Sequence, residues 1–289
     1  MLETIRDYWA KAEGLEPNYK NLKALHTLFV HEVVFSSLSI NLGIKPFFDP
    51  ALAFKKVVIE QEGDACLLIN FAAKYLLEKI GYKRVECINS EVFHVHKNPV
   101  SRGTAIHMTM IVTLEDEQGE EVKYVFDPGF SNSHRAPLPF TGEIIHDVMS
   151  DYRVVFDESE GRYAVQEKCD GWKTQFIFDP SDVMDQKAFG ECVNFAYQDA
   201  HYFRNNLYIQ KCSYNSCLQI LNDQFLILFA NGTVEKRSIL DVGGLRSLLI
   251  KEFGLPEKYV DSVKLKSDSM LTPVSEMLSR LWEPTLIPQ

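Results

Sequence analysis

The chain has 289 residues, 46% of them apolar, enough for one large core or several smaller ones. Thirty basic against forty acidic side chains give a formal charge of −10, which argues against the broad basic surface that nucleic-acid or anionic-membrane binding requires. The longest purely apolar run, residues 225–230, is far short of the roughly 18 residues of a membrane span, and the opening MLETIRDYWA has no apolar signal core, so a cytoplasmic protein is expected.

The first third reads as helical. Ile5, Tyr8, Trp9 and Ala12 fall at helical spacing, as do Leu22, Leu25, Phe29 and Val33 after the break at Pro17-Asn18. A stretch with two prolines at 44–50 interrupts the pattern, and a further helix is predicted over 66–80, with Gly63-Asp64 before it and Gly81 as its stop. From residue 84 the texture changes to β-branched and aromatic runs at 85–88, 105–114, 122–126, 152–156, 163–167 and 174–178. These predict six short strands in a small barrel or twisted antiparallel sheet, with 115–120 as a hairpin between the second and third. The last third mixes a helix near 187–198, strands at 207–212, 217–221, 224–229 and 233–238, a helix at 244–253 and an amphipathic tail around 274–281.

An α+β chain of three parts is therefore expected: a helical domain 1–83, a β-barrel domain 84–190 and an α/β lid domain 191–289. The acidic excess is unevenly spread over them. Residues 1–83 carry ten basic and ten acidic side chains, 84–190 ten and nineteen, and 191–289 ten and eleven.

The six cysteines, Cys66, Cys87, Cys169, Cys192, Cys212 and Cys217, include no C-x-x-C pair. In a chain without a secretory signal they are expected to be reduced thiols, most of them small core side chains. Cys66 differs by position. At the first turn of a helix, unpaired backbone N–H groups and the helix dipole favour the thiolate, the reactive form, although a lone thiol there is more often a core residue. Downstream, His107 lies in the run 105–114 and Asp127 ends the run 122–126 at the turn Asp127-Pro128-Gly129-Phe130. Neighbouring strands bring such a pair side by side, with the carboxylate fixing the imidazole tautomer and the other ring nitrogen facing the thiol. The order is Cys, His, Asp, as in a cysteine-protease-like core.

At these residues the chain resembles the arylamine N-acetyltransferase family. That family is marked by R-G-G-x-C-x-E-x-N, a histidine within a strand, D-x-G-F-G and then a P-L sequence. Here the corresponding stretches are Glu62-Gly63-Asp64-Ala65-Cys66-Leu67-Leu68-Ile69-Asn70, Ala105-Ile106-His107-Met108, Asp127-Pro128-Gly129-Phe130-Ser131 and Ala136-Pro137-Leu138-Pro139-Phe140. Lys56-Val57 matches the family's K-x-V, and Val34-Phe35-Ser36-Ser37-Leu38 stands where the family has P-F-E-N-L. The resemblance spans about residues 20–255 and departs in particular places. Glu62 and Leu68 replace the arginine and glutamate around the cysteine, so the family's supporting ion pair is absent on both sides, a joint loss that leaves no lone buried charge.

The resemblance implies an enzyme in which Cys66, His107 and Asp127 are the catalytic triad. It implies acetyl-coenzyme A as the acyl donor, an arylamine or hydrazine as acceptor, and ping-pong transfer through an acetyl-Cys66 thioester. Phe35, Phe130 and Phe203 fall on the family's aromatic acceptor walls, and Gly129 on a place where backbone approaches the coenzyme. Without the resemblance each phenylalanine reads as core packing. An amide synthase with a longer or carrier-bound acyl donor, a cysteine hydrolase, and a ligand-binding homologue without turnover are the alternatives.

His94 and His96 share one face of a strand but lack a third ligand at useful spacing, and no metal is expected. His134 and Arg135 are expected in a loop near the mouth of the site, either meeting phosphate or only solvated, and Asp241 as a helix N-cap before Gly243-Gly244. From the charge distribution, coenzyme A is expected between the two nearly neutral thirds, away from the acidic barrel.

Overall fold

In the computed structural model α1 (Ile5–Ala10) begins at a capping box, Thr4 Oγ1 accepting from the Asp7 amide and the Asp7 carboxylate accepting from the Thr4 amide. The described residues are 4–93, 107–116, 118–130, 134–198 and 201–262. Helix α2 (Tyr19–Glu32) starts where Asn18 accepts from the Asn21 amide, and it buries Leu22, Leu25 and Phe29 on the expected stripe. The two-residue strand β1 (Phe35–Ser36), α3 (Leu38–Leu42) and α4 (Pro50–Phe54) follow, and α4 runs into a π turn over Lys55–Ile59. Helix α5 (Cys66–Ile80) has the bounds its sequence predicts. Leu68, Ile69, Phe71, Ala72, Leu76 and Leu77 are buried along it, in one core with Leu22, Leu25 and Phe29.

The central stretch folds as an antiparallel sheet of eight strands: β2 (Val85–Val92), β3 (His107–Glu115), β4 (Glu121–Val125), β5 (Leu138–Pro139), β6 (Ile145–His146), β7 (Asp151–Asp157), β8 (Arg162–Cys169) and β9 (Gly171–Val183). Their order is β5-β4-β3-β2-β9-β8-β7-β6. Strand β5 at one edge lies against β7 near the other, so the sheet curls toward a barrel around Ile88, Ile111, Val125, Val154, Val165, Phe176 and Phe178. Six of these strands are the predicted ones. The additional β5 and β6 are two residues each, too short to leave a periodic signal.

Helix α6 (Gln186–Ala196) returns to the helical part, burying Phe189, Cys192 and Val193 in the same core as α5. After α7 (Tyr202–Asn205) come β10 (Tyr208–Cys212), β11 (Ser216–Leu221), β12 (Gln224–Phe229) and β13 (Val234–Ser238), then α8 (Val242–Lys251) and α9 (Glu257–Ser262). Asp241 caps α8 as expected, accepting from the Gly244 amide at 2.7 Å. This second sheet runs β1-β10-β11-β12-β13, so a strand of the first third forms its edge. Among the described residues no helix is long and apolar enough to cross a membrane. The His94 and His96 positions and the stretch 274–281 lie outside the described residues.

Two of the six cysteines are not free thiols. Cys212 and Cys217 form a disulfide, while Cys66, Cys87, Cys169 and Cys192 are free. The hairpin register pairs Cys212 directly with Cys217 across β10 and β11, a juxtaposition that the sequence separation of 5 does not reveal without the register.

Candidate active site

Three elements meet at Cys66. The cysteine is the first residue of α5, partly exposed, following an extended Ala65 whose side chain provides no cap. The turn before it is held by backbone pairing to β1: the Ser36 amide donates to the Asp64 carbonyl at 3.0 Å and the Asp64 amide to the Val34 carbonyl at 3.3 Å. Gly63 is required in that turn. Its φ is +67°, and a Cβ there would lie 2.6 Å from the Val34 carbonyl oxygen.

His107 opens β3, and the ladder brings it to Asp127. Ile111 pairs with Val125 across β3 and β4, so continuing the register puts Asp127 and His107 on one face as diagonal neighbours. His107 Nε2 lies 2.6 Å from Asp127 Oδ2, with both side chains buried. Asp127 engages Nε2 and leaves the other ring nitrogen, Nδ1, and the Cys66 sulfur is near enough to act on the ring. Burial alone would lower the His107 pKa, but the Asp127 carboxylate and the Cys66 sulfur reverse this and push it up to about 10. Burial likewise works to raise Asp127, and its partners His107 and Asn70 hold it below the usual carboxylate range.

Asn70, one turn after Cys66 on the same helix face, joins these parts. Its Nδ2 donates to Asp127 Oδ1 at 2.8 Å and to the Met108 carbonyl, and its Oδ1 accepts from the Gly129 amide at 2.9 Å. The residue is fully buried. Its signal in the sequence is the asparagine that ends the R-G-G-x-C-x-E-x-N pattern, four residues and about one helical turn after Cys66, which by itself assigns no role. Gly129 is glycine for the sake of this contact. A Cβ there would lie 2.7 Å from Asn70 Oδ1 and 2.9 Å from the Cys66 carbonyl oxygen.

Behind Asp127 stands a pair of histidines. His26 Nε2 accepts from the Asp127 amide at 3.1 Å, and the His26 and His134 rings stack at 4.7 Å. Burial lowers both pKa values and keeps both rings neutral near pH 7. His134 and Arg135 are thus not in a solvated mouth. His134 is 2% exposed and its Nδ1 lies 2.6 Å from the Ala136 carbonyl, while Arg135 pairs with Asp147 at 2.7 Å.

The three phenylalanines fall into two groups. Phe130 packs edge-on to His107 at 5.1 Å and against Phe176 at 5.0 Å. Phe35 packs against Phe203 at 5.9 Å and Tyr208 at 5.7 Å. Phe35 and Phe130 share a cavity of about 20 Å³ with Ile69, Pro128, Gln210 and Cys212, which Phe203 does not line. That is room for about one water molecule. Among the described residues, no three His, Cys, Asp or Glu side chains are placed to hold a metal ion.

Known proteins resemble this chain in sequence and in fold. The sequence model of the N-acetyltransferase family matches residues 18–260. The arylamine N-acetyltransferase of Escherichia coli is 22% identical over 250 residues, covering 86% of this chain and 85% of that protein. The structure of Mycobacterium marinum arylamine N-acetyltransferase in complex with CoA superimposes with a TM-score of 0.73 at 20% identity, covering 86% of this chain and 93% of that one. An arylamine N-acetyltransferase of Bacillus cereus, described as having a unique Cys-His-Glu catalytic triad, superimposes with a TM-score of 0.74 at 21% identity, covering 88% and 99% of the two chains. With the family match spanning most of its length, the chain belongs to the arylamine N-acetyltransferase family, a family of enzymes, as a divergent member.

Proposed function

We propose that the protein moves an acetyl group from acetyl-coenzyme A to an arylamine or arylhydrazine nitrogen, through a thioester on Cys66. The observation that carries this reading is the array in which the partly exposed Cys66 sulfur acts on His107, and the buried His107 is hydrogen-bonded to Asp127. With a pKa near 10, His107 holds a proton at neutral pH and has it available for a leaving group. The Cys66 sulfur attacks the acetyl carbon, the bond from that carbon to the coenzyme sulfur breaks, and His107 gives its proton to the departing thiolate. In the second half, the acceptor nitrogen attacks acetyl-Cys66, the bond from the acetyl carbon to the Cys66 sulfur breaks, and His107 takes the nitrogen's proton. Asp127 keeps the imidazole oriented through both halves.

In this reading Phe35, Phe130 and Phe203 form the aromatic surroundings of the acceptor, and Gly129 is the backbone position nearest the donor thioester. The labour divides along the chain: residues 1–83 supply the nucleophile, 84–190 the histidine and aspartate, and 191–289 the cover. Coenzyme A enters where the two charge-neutral parts approach Cys66, its phosphates away from the acidic barrel. The relative crystallised with CoA supports this choice of donor.

The test is to incubate the protein with acetyl-coenzyme A and a small arylamine or aryl hydrazine, and to follow free coenzyme A with a thiol reagent. Release should depend on both substrates and vanish in Cys66→Ala. Release no faster than in that folded variant would refute the proposal.

A further inference from the structure

We propose that Lys56 and Asp64 are a positioning pair for the Cys66 nucleophile, built from residues other than those of the family's missing arginine–glutamate pair. This rests on Cys66 being the nucleophile. Asp64 lies two residues before Cys66, within about 7 Å along the backbone. Its side chain is 5% exposed and that of Lys56 15%. Every part of the Asp64 carboxylate is committed: Oδ1 accepts from the Ala65 amide at 2.8 Å, and Oδ2 accepts from Lys56 Nζ and from Ser39 Oγ, the latter at 3.1 Å. Lys56 Nζ also donates to Ser39 Oγ at 3.3 Å, and the Tyr259 ring of α9 lies 6.0 Å from the ammonium.

Two features show that this arrangement is built into the backbone. Lys56 sits in the π turn Lys55–Ile59, a conformation found in well under 1% of residues and often at functional sites. The Glu62 amide then donates to the Lys56 carbonyl at 3.2 Å, closing the loop that carries Asp64 to β1. The backbone of Asp64 is pinned to Val34 and Ser36, so the carboxylate and the start of α5 move as one piece.

The electrostatic consequence follows from distance. A buried, uncompensated carboxylate two residues before Cys66 opposes negative charge on the sulfur, because burial leaves it little screened by salt. Lys56 cancels that charge while leaving the carboxylate free to hold the turn. The other titratable groups that sense Asp64 are Glu62, Tyr197 and Tyr259, with Lys258 acting on Glu62, while His107 from β3 and Cys192 from α6 sense the sulfur. Burial raises the pKa of Glu62, and the nearby Lys56 works against that rise.

The experiment is iodoacetamide labelling of Cys66 in the full chain, read by peptide mass, across about pH 5 to 9. Variants are Lys56→Met, Lys56→Arg and Asp64→Asn. In Lys56→Met the pH of half-maximal rate should rise by about one unit, a tenfold slowing on the acid side, and Lys56→Arg should restore it. Asp64→Asn, which removes the opposing charge and leaves the cation, should move the half-maximal pH down. Opposed shifts are the signature, because a purely mechanical brace lowers stability in both variants without moving the profile in opposite senses. Unchanged profiles, or shifts in one direction, would overturn the proposal. Should Lys56→Met fail to fold, the isosteric Asp64→Asn decides alone, a downward shift supporting the pair and an unmoved profile overturning it. Labelling of wild-type Cys66 no faster than of buried Cys87 or Cys192 would overturn the nucleophile reading itself, a separate outcome visible before any variant is compared.

Discussion

Replacing Asn70 with alanine probes the site where fold and chemistry are least separable. The substitution removes the donor to Asp127 Oδ1, the donor to the Met108 carbonyl and the acceptor for the Gly129 amide, all buried. Asp127 keeps its bond to His107 at 2.6 Å, so the main losses are a carbonyl and an amide left unpaired, at about 1–3 kcal/mol each. A total near 3 kcal/mol corresponds to a fall in melting temperature of about 6–12 °C for a domain of this size. The carboxylate also loses the contact that fixes its rotation against α5, and misplacement on the scale of an ångström costs up to about a hundredfold in rate. Melting followed by circular dichroism, together with single-turnover acetylation measured well below the melting point, reads both effects. A melting temperature within about 2 °C of wild type and an unchanged acetylation rate would refute the role given to Asn70.

Three further outcomes are expected. The folded-state pKa of His107, about 10, lies above its unfolded value of about 6.5. The charged ring therefore contributes stability that is fully present below about pH 6.5 and is lost as pH rises through about 10. Acetyl loading should hold level through neutrality and fall near that upper limit, and a falling limb near pH 6.5 would contradict the array. Gly129→Ala should cost about 1–3 kcal/mol by overpacking against Asn70 and the Cys66 carbonyl, and should slow loading; an unchanged melting temperature would count against the close approach of α5. Reducing the Cys212–Cys217 disulfide should cost about 2 kcal/mol by the chain-entropy estimate for so short a loop. The checks are melting with and without dithiothreitol and a count of titratable thiols in the unfolded, unreduced protein, where six rather than four would mean that the bond is absent.

How much of this was legible in the sequence depends on whether a feature is local. Helix α5 was legible to the residue, because Gly63-Asp64 and Gly81 bound an uninterrupted helical pattern. The long barrel strands were legible by their β-branched and aromatic runs, and the places of His107 at the start of β3 and of Asp127 just beyond β4 followed from them. The features that escaped are pairings across sequence distance. Strand β1 joins β10 through only two residues, Phe35↔Gln210 and Ser36↔Ile209, and nothing periodic announces it. Cys212 and Cys217 needed a hairpin register. His26 and His134 are isolated histidines until the fold stacks them behind Asp127, and the loop expected to be solvated buries His134 instead. Lys56 and Asp64 were visible as residues, and Lys56 as part of a motif, but only the π turn and the pairing of Asp64 with β1 bring their charges together.

The most direct test of the account is the intact mass of the protein after brief exposure to acetyl-coenzyme A alone, followed by peptide mapping. One acetyl group on Cys66, removed on adding an arylamine or aryl hydrazine and absent from Cys66→Ala, is the predicted result. No adduct on the folded wild-type protein, or acetylation that spreads to Cys169 and the lysines without favouring Cys66, would contradict it.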